Sequence, residues 1–493
     1  MEQVLRNDSR VPPIITWLKP VSSAVASGTG GPFGAEGPII ATGGALGSLL
    51  GQWTHVTADE RKTLLAAGAT PIMSAVSPAP MAAVLLSIEL LLFERRARSL
   101  IPVALAAAVG AAAHILLEGA EPVFSMPALP SPAMVALIAY AAMGALTGLA
   151  SVGITRLTYG IEDAFERLPI HWMWWPAIGG IAVGVVGYFM PSTLGVGYDN
   201  ISLVLSGGLG LGAMLALCLM KLLSWSIALG SGTSGGTLAP LFTIGGAMGG
   251  ALGLSIATLM PGLGVDPRMA ALVCMAAMFA GASRAFLTSI VFAFEVTQQA
   301  HGLLPLLAAC ALAYLVSGFL MRNTIMTEKI ARRGVSVPSE YGADYLEQIR
   351  VRDACTRDVV SVMATQRLGD VRAWLATHAA GTSHQGFPVI DSDGALCGVL
   401  TRRDLLDPAK GDDVLLGTLV WREPLAVRED DTLRDAADHM VEADVGRLVV
   451  VAEGGVRSIV GIITRGDLLS AHARRLRAAR EPTRHFRFRD ARR

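Results

Sequence analysis

Apolar runs of unequal length fill residues 36–321, and a mixed polar pattern follows from about residue 340. Several of the runs cover only about 13 to 17 residues, whereas a single helix needs roughly 20 to cross a bilayer. Short apolar segments interrupted by glycine and proline predict broken or re-entrant helices in a membrane domain. The regular charges beyond residue 340 predict a separate soluble domain of roughly 150 residues.

A Gly-rich turn that leads into a short apolar helix occurs twice, at residues 28–47 and 230–249. The two copies align at an offset of 202 positions, with several glycines and one proline in register. A second pair of apolar helices, ending at Glu89 and Glu295, is offset by 206 positions. We expect these two glutamates to tie helix ends rather than to transfer protons. The nearly equal offsets indicate two related halves, as in transporters with inverted repeats.

Glu36 lies inside the first Gly-rich turn. The start of a helix carries free N–H groups and partial positive charge, so two such turns meeting in the membrane would bind a dehydrated anion. An ionisable group at membrane depth is costly and usually functional. We expect the Glu36 carboxylate to compete with the anion and to leave when protonated, acting as gate and proton carrier. The alternatives are that the glycines only permit close helix packing and that Glu36 caps a helix in an exposed loop.

Composition narrows the function further. The chain is 52% hydrophobic and 16% charged, with a mean hydropathy of +0.51 and zero net charge. This charge depletion fits a membrane protein, and the zero net charge argues against nucleic-acid binding. The five cysteines lack the spacing of a disulfide framework or zinc site. A GxGxxG match at 230–235 lacks the preceding strand and following acid of a dinucleotide site.

Basic clusters follow the Glu89 helix and the last predicted span. By the positive-inside rule both clusters face the cytoplasm, which also places the soluble domain there. Together with cysteines that suggest no disulfide framework, this orientation fits a bacterial inner-membrane protein. The basic tail at 476–493 is expected to be solvated near anionic lipid. The clustered residues are Arg95, Arg96 and Arg98 in the first half, and Lys329, Arg332 and Arg333 in the second.

The soluble domain is itself duplicated. Residues 398–407 and 461–470 share the pattern G-h-h-T-R-x-D-L-L, where h is hydrophobic, at a spacing of 63 positions. Helical patterns at 368–379 and 432–443 and β-type runs precede the two copies. The repeated unit is therefore a strand, a helix, two strands and a closing helix.

The motif GAEGPIIATGGALGS resembles the G-K/R-E-G-P motif of the CLC chloride channel and transporter family, and GGTLAPLFTIGGAMG is similar to its G-x-F-x-P motif. The resemblance implies that Glu36 is the external gating glutamate. It also implies a homodimer with one pore per subunit, which moves chloride or a similar anion passively or in exchange for protons. The anion-binding residues that it implies are Ala35, Gly37, Thr237, Leu238 and Ala239, with Met326 at the position of the pore tyrosine.

The chain departs from the family pattern at several positions. The first anion motif, G-S-G-x-P, is absent, so we expect the first half-repeat to lack its initial helices, as in an N-terminally truncated member. Leu90 stands where the family has an internal proton-transfer glutamate, and Met326 replaces the pore tyrosine. Ala35 and Leu238 replace the usual basic residue and phenylalanine. These departures leave channel and exchanger activity both open.

Residues 351–410 and 413–475 look like a pair of CBS domains. Their G-h-h-T-x-x-D motif implies binding of an adenine nucleotide, such as ATP or AMP. The alternative is that the pair only stabilises the dimer. The residues that the resemblance assigns to ribose and phosphate are Thr401, Asp404, Thr464 and Asp467.

The predicted architecture is an all-α polytopic membrane domain with inverted repeats and broken helices at 1–335, followed by a linker at 336–350 and an α/β tandem CBS domain. We predict an anion transport protein in the lipid bilayer rather than an enzyme, with no covalently bound cofactor, metal or nucleic acid. The rival hypotheses are a non-conducting, membrane-tethered nucleotide sensor and a truncated inactive product.

Overall fold

A computed structural model of the chain describes residues 4, 9–54, 56–93, 97–333, 346, 349–377, 379, 381–452 and 459–480. The chain divides into two compact units, Met1–Tyr341 and Gly342–Arg493. The predicted basic pair at 95–96, most of the linker at 336–350 and the tail beyond residue 480 lie outside the described residues.

The first unit is helical through nearly all of its described length. Among the described residues, six segments are long and apolar enough to span a membrane, namely Ala97–Glu118, Met134–Glu166, Trp172–Phe189, Leu211–Gly230, Leu238–Leu259 and Ala300–Leu320. In chain order the α-helices are α1 (Ile15–Gly28), α2 (Glu36–Trp53), α3 (Ala58–Val76), α4 (Pro80–Leu86), α5 (Ala97–Glu118), α6 (Met134–Glu166), α7 (Trp175–Phe189), α8 (Tyr198–Leu205), α9 (Leu211–Gly230), α10 (Leu238–Leu259), α11 (Pro267–Ser283), α12 (Phe286–Thr297), α13 (Leu303–Leu320) and α14 (Glu328–Arg332).

Several helices of this unit are too short to cross a bilayer alone, as the sequence predicts. Helix α12 has 12 residues. Helix α4 has 7 residues and continues as a π-helical turn at Ser87–Leu92. That turn ends at Phe93, whose φ of 53° is left-handed and cannot continue the helix. The membrane unit therefore contains broken helices, whose ends lie inside the protein.

Glu89 and Glu295 join two of these short helices reciprocally. The Glu89 carboxylate accepts hydrogen bonds from the N–H groups of Leu287 and Thr288, at the start of α12. Glu295, near the end of α12, accepts hydrogen bonds from the N–H groups at the start of α4. Carboxylates stabilise helix N-termini through these bonds and through the helix dipole. The prediction that the two glutamates tie helix ends is confirmed.

Helix α11 forms the centre of the membrane unit. Every residue from Met269 to Ser283 is buried, as expected for a helix that is apolar on all faces. It packs against α10, where Gly245 allows the backbones to approach closely. A Cβ at Gly245 would lie 2.6 Å from the Cβ of Met278. This packing fixes α10 against the core and thereby positions its N-terminus.

The second unit contains two copies of one β-α-β-β-α motif, as predicted. In each three-stranded sheet the first strand runs parallel to the second, and the third is antiparallel to the second. The first copy comprises β1 (Val362–Met363), α15 (Leu368–Ala376), β2 (Gly386–Ile390), β3 (Leu396–Thr401) and α16 (Arg402–Leu405), followed by α17 (Leu416–Leu419). The second comprises β4 (Ala426–Arg428), α18 (Leu433–Glu442), β5 (Arg447–Val451), β6 (Ile459–Thr464) and α19 (Arg465–Arg480).

The cores of the two copies are completed by segments that lie outside the motif itself. Val351, which precedes β1, packs with Val427 in the core of the second copy. Leu416 of α17 packs with Leu368 in the core of the first copy. The segment before β1 therefore ties the two copies together within this unit.

Candidate anion and nucleotide sites

The two repeated Gly-rich turns meet in the structure. Gly34 donates its N–H to the carbonyl of Gly236 at 3.2 Å, and Gly236 donates to the carbonyl of Gly34 at 2.9 Å. These residues occupy equivalent positions in the 202-residue repeat. Gly37 also lies against Gly236, because a Cβ at Gly37 would be 3.0 Å from its Cα. The approach of the turns explains why glycine recurs in both copies.

Two helices begin at this contact. Helix α2 starts at Glu36 with Ala35 as its N-cap residue. Helix α10 starts at Leu238 with Thr237 as its N-cap residue. The first N–H groups of a helix have no acceptor within the helix, and they carry partial positive charge. Together the two N-termini form a region that favours an anion without a full positive charge.

A cavity of about 440 Å³ opens onto the two helix starts. Its walls are mostly apolar, and its charged lining residues in the described part of the chain are Lys19 and Glu36. The residues that the sequence assigns to the anion site divide between the cavity wall and the adjacent backbone. Glu36, Gly37, Thr237, Leu238 and Met326 line the cavity, while Ala35 and Ala239 belong to the flanking helix starts.

Glu36 is buried, with 3% of its surface exposed. Its Oε1 atom accepts a hydrogen bond of 2.5 Å from the hydroxyl of Tyr198, the first residue of α8. Its other oxygen, Oε2, has no hydrogen-bond partner among the described residues. The alternative of an exposed loop glutamate is therefore wrong. The Glu36 side chain lies beside the two helix starts, where its carboxylate can compete with an anion for the same region.

Two of the departures from the family pattern, Leu90 and Met326, lie on the same cavity wall. Met326 packs beside the second turn, and its Sδ atom is 3.8 Å from Oγ1 of Thr237. Leu90, in the π-helical turn, also lines the cavity. Both positions thus present an apolar side chain to the space beside Glu36.

Sequence reasoning did not identify Tyr198 or Lys19 as parts of this site. Tyr198 lies 162 positions after Glu36, and no local sequence pattern predicts their contact. Lys19 lines the cavity and donates to Oγ of Ser234 in the second turn at 3.1 Å. A signal for Lys19 existed, because the 202-residue offset pairs it with Lys221.

The second unit contains a cavity of about 470 Å³ between its two motif copies. Thr401 and Asp404 line it, together with three arginines. The guanidinium of Arg422 lies over the Trp421 ring at 4.3 Å. Burial lowers the pKa of Arg447, which indicates a partly desolvated cation. The arginines that line the cavity are Arg403, Arg422 and Arg447.

The four residues predicted to hold a nucleotide also have a local structural task. The Asp404 carboxylate accepts hydrogen bonds from the N–H and hydroxyl of Thr401 at the start of α16. Asp467 accepts the same pair of bonds from Thr464 at the start of α19. These are capping interactions. Thr464 and Asp467 are not among the residues that line the 470 Å³ cavity. Of the two pairs, only Thr401 and Asp404 therefore lie at this cavity.

The fold is that of a polytopic membrane protein with a candidate anion site at paired helix starts, followed by a unit of two β-α-β-β-α copies. The voltage gated chloride channel family matches residues 1–318, and the CBS domain family matches 351–410 and 416–474. The chain therefore belongs to the voltage gated chloride channel family, with two C-terminal CBS domains.

Curated relatives include transporters from several bacteria. The H(+)/Cl(-) exchange transporter ClcA of Vibrio cholerae is 31% identical over 326 residues, covering 62% of this chain and 69% of the relative. The protein of the same name from Salmonella arizonae is 28% identical over 318 residues, covering 62% and 67% respectively.

Solved structures support the fold. A slow cyanobacterial Cl-/H+ antiporter aligns with a TM-score of 0.58 at 22% identity, covering 67% of this chain and 82% of that chain. A eukaryotic CLC transporter aligns with a TM-score of 0.52 at 20% identity, covering 94% and 86%. At these identities the likeness to the solved structures supports the fold alone, and it confirms the predicted fold class. The match to the family model confirms the predicted family.

Proposed function

We propose that this chain moves chloride or a chemically similar anion across a membrane, with Glu36 as the gate. The observation that carries the proposal is the buried Glu36 carboxylate on the wall of a cavity where two helix N-termini meet. The exchange activity in the names of the bacterial relatives supports transport rather than a non-conducting sensor. It also agrees with a transport protein rather than an enzyme.

In the proposed mechanism, backbone N–H groups of Ala35, Gly37, Thr237, Leu238 and Ala239 hold the anion. An ionised Glu36 carboxylate occupies the same region, because the partial positive charge of the helix starts favours either anion. Protonation neutralises the carboxyl group and removes its electrostatic attraction to the helix starts, so the side chain leaves and the anion enters. Met326 and Leu238 provide apolar walls beside the anion.

The proposal includes passive and proton-coupled movement. Leu90 offers no titratable group on the cavity wall, so protons that accompany the anion would be carried by Glu36. Simultaneous recording of chloride efflux and proton uptake in one proteoliposome preparation separates the two modes. Uphill proton uptake driven by a chloride gradient would establish exchange.

Glu36→Gln tests the gate. The amide is close in shape but cannot ionise, so we expect chloride efflux from proteoliposomes to lose its pH dependence. Glu118→Gln is the matched control, because Glu118 is an exposed glutamate at the end of α5. Unchanged efflux and unchanged pH dependence in the Glu36 variant would refute the assigned role. Absence of efflux from the folded wild-type chain, together with nucleotide binding, would favour the sensor hypothesis.

The proposal also assigns a location and a regulator. We place the protein as a homodimer in a bacterial inner membrane, with the CBS domains in the cytoplasm. Support comes from the basic residues Arg98, which follows the Glu89 helix, and Lys329 and Arg332, which follow the last predicted span. The cavity lined by Asp404 and three arginines would accept an adenine nucleotide, because arginines suit phosphates and a carboxylate suits ribose hydroxyls. Equilibrium dialysis of ATP and AMP against the full chain tests this binding.

A further inference from the structure

Tyr198 links the second half of the membrane unit to the carboxylate in the first. Its hydroxyl donates to Oε1 of Glu36 at 2.5 Å. Its ring packs edge-on against Phe124, with ring centroids 5.6 Å apart and an interplanar angle of 80°. Phe124 is only 2% exposed. The ring is therefore held by the core, and the hydroxyl is directed at Glu36.

The turn that precedes Tyr198 is anchored by a buried lysine. Lys221 of α9 is fully buried, and its Nζ donates to the carbonyls of Thr193 and Gly195 at 3.0 and 2.8 Å. No carboxylate among the described residues forms an ion pair with it. Burying an ammonium group is costly unless its hydrogen bonds are satisfied. Here the turn itself satisfies them, so the lysine fixes the path of the chain into α8.

The same turn also docks directly on the first Gly-rich turn. Gly195 donates its N–H to the carbonyl of Gly30 at 3.2 Å. Gly197 adopts a left-handed φ of 85° immediately before Tyr198. A Cβ at Gly197 would lie 3.3 Å from Nζ of Lys221. Backbone and side-chain contacts therefore hold the turn that positions the Tyr198 hydroxyl beside Glu36.

We infer that Tyr198 is a positioning residue that holds the ionised Glu36 carboxylate in the anion site and delays its release. The inference rests on the proposed role of Glu36 as the gate. A hydroxyl donates a stronger hydrogen bond to a carboxylate than to a neutral carboxyl group. The contact therefore stabilises the closed, ionised state selectively. Protonation of Glu36 weakens the hydrogen bond and releases the side chain.

The other charged groups near Glu36 are few. In the described part of the chain, Lys19 is the remaining charged side chain on the cavity wall. Asp199, next to Tyr198, is exposed. Lys221 points its nitrogen at carbonyl groups of the turn rather than at the cavity. A change in the pH response after removal of the Tyr198 hydroxyl would thus report on its contact with Glu36.

Tyr198→Phe removes one oxygen and keeps the ring against Phe124. A hydrogen bond to a charged group is lost from the closed state, so we expect chloride efflux at neutral pH to rise by about tenfold. The pH of half-maximal efflux should move upward by about one unit, because the carboxylate loses a donor that favours its charged form. Tyr188→Phe is the matched control, since Tyr188 is 82% exposed.

A double variant separates positioning from general destabilisation. With Glu36→Gln already present, the added Tyr198→Phe should change neither efflux nor its pH response. Equal effects of Tyr198→Phe with and without Glu36, or no shift in the pH midpoint, would overturn the inference. If Glu36→Gln alters efflux and Tyr198→Phe does not, only the role of Tyr198 fails. If Glu36→Gln itself has no effect, the proposed gate fails.

A second variant covers the case in which Tyr198→Phe does not give folded protein on size-exclusion chromatography. Gly197→Ala keeps the tyrosine hydroxyl but strains the turn at its left-handed φ, which displaces Tyr198 from Glu36. We expect the same upward shift of the pH midpoint. A folded Gly197→Ala protein with the wild-type pH response would contradict the inference.

Discussion

Gly34 and Gly236 exchange two backbone hydrogen bonds, at 3.2 and 2.9 Å, although 202 positions separate them in the chain. They occupy equivalent positions in the internal repeat, so the contact pairs corresponding residues of the two halves. Each glycine closely precedes a helix start. The pairing therefore holds two helix N-termini at a fixed separation, which is the geometric basis of the proposed anion site.

The first prediction is that Gly236→Ala greatly reduces chloride efflux. An added Cβ would contact the carbonyl oxygen of Gly34 and lie 3.1 Å from the nitrogen of Gly37. Both contacts are backbone atoms, so neither can rotate away. Displacing the amides by about 1 Å should cost about a hundredfold in rate. The measurement is efflux per folded protein in proteoliposomes.

Gly153→Ala is the control for this variant, because a Cβ at Gly153 meets nothing within 4 Å. It should leave efflux within about twofold of wild type, as surface substitutions usually do. Wild-type efflux from Gly236→Ala would show that the contact of the turns is not needed for transport.

The repeat made much of this site predictable. The spacing of the two Gly-rich turns pairs Gly34 with Gly236 through the sequence alone, and the charge of Glu36 in an apolar context marks it as unusual. The contact between Tyr198 and Glu36 was not predictable. It depends on the left-handed φ of Gly197 and on how Lys221 holds the turn, and neither leaves a local pattern.

The CBS unit shows a different limit of prediction. Strand and helix patterns predict its β-α-β-β-α repeat, because alternation and capping residues are local signals. The repeated motif makes Asp404 and Asp467 equivalent, yet only Asp404 lines the cavity. Asp404 and Asp467 differ because the cavity is formed by the packing of one copy on the other. The local motif is the same in both copies, so it does not show which aspartate faces the cavity.

The second prediction concerns Glu295. Its carboxylate accepts hydrogen bonds from the N–H groups of Met81 and Ala82 at 3.0 and 2.8 Å. Glu295→Ala leaves these donors unsatisfied, so we expect the free energy of unfolding to fall by about 2 kcal/mol. Thermal unfolding in detergent, followed by tryptophan fluorescence, measures the change. Efflux per folded protein should persist.

Glu118→Ala provides the comparison. Because Glu118 is exposed, this substitution should lower the free energy of unfolding by about 0.5 kcal/mol or less. A Glu295→Ala protein of unchanged thermal stability that lost proton uptake would contradict the structural role and favour proton transfer.

The third prediction separates the two aspartates of the CBS motif. Asp404 and Asp467 make the same capping bonds, but only Asp404 faces the cavity. Asp404→Asn should weaken binding of ATP or AMP to the full chain by about tenfold, as expected for loss of a charged hydrogen-bond acceptor. Asp467→Asn should leave the dissociation constant unchanged. Equal weakening by both substitutions would place the nucleotide across both motifs.

The last prediction is a pH dependence at the start of α18. Hydrogen bonds from the Thr432 hydroxyl and then from its N–H hold the pKa of Asp435 below its ordinary value. A depressed pKa in the folded state contributes stability above the unfolded pKa of about 3.9, and that stability is lost as the pH falls through the folded pKa.

Thr432→Ala should therefore lower the protection of α18 by about 1 kcal/mol at neutral pH, and this difference should shrink below about pH 4 as Asp435 is protonated. Amide hydrogen exchange of Ala436 and its neighbours, measured across that pH range, provides the readout. Asp438→Asn is the control, because Asp438 contacts Arg434 on the exposed helix surface and not the cap. A loss of protection that is equal at neutral and acidic pH would show that Asp435 does not act through its charge.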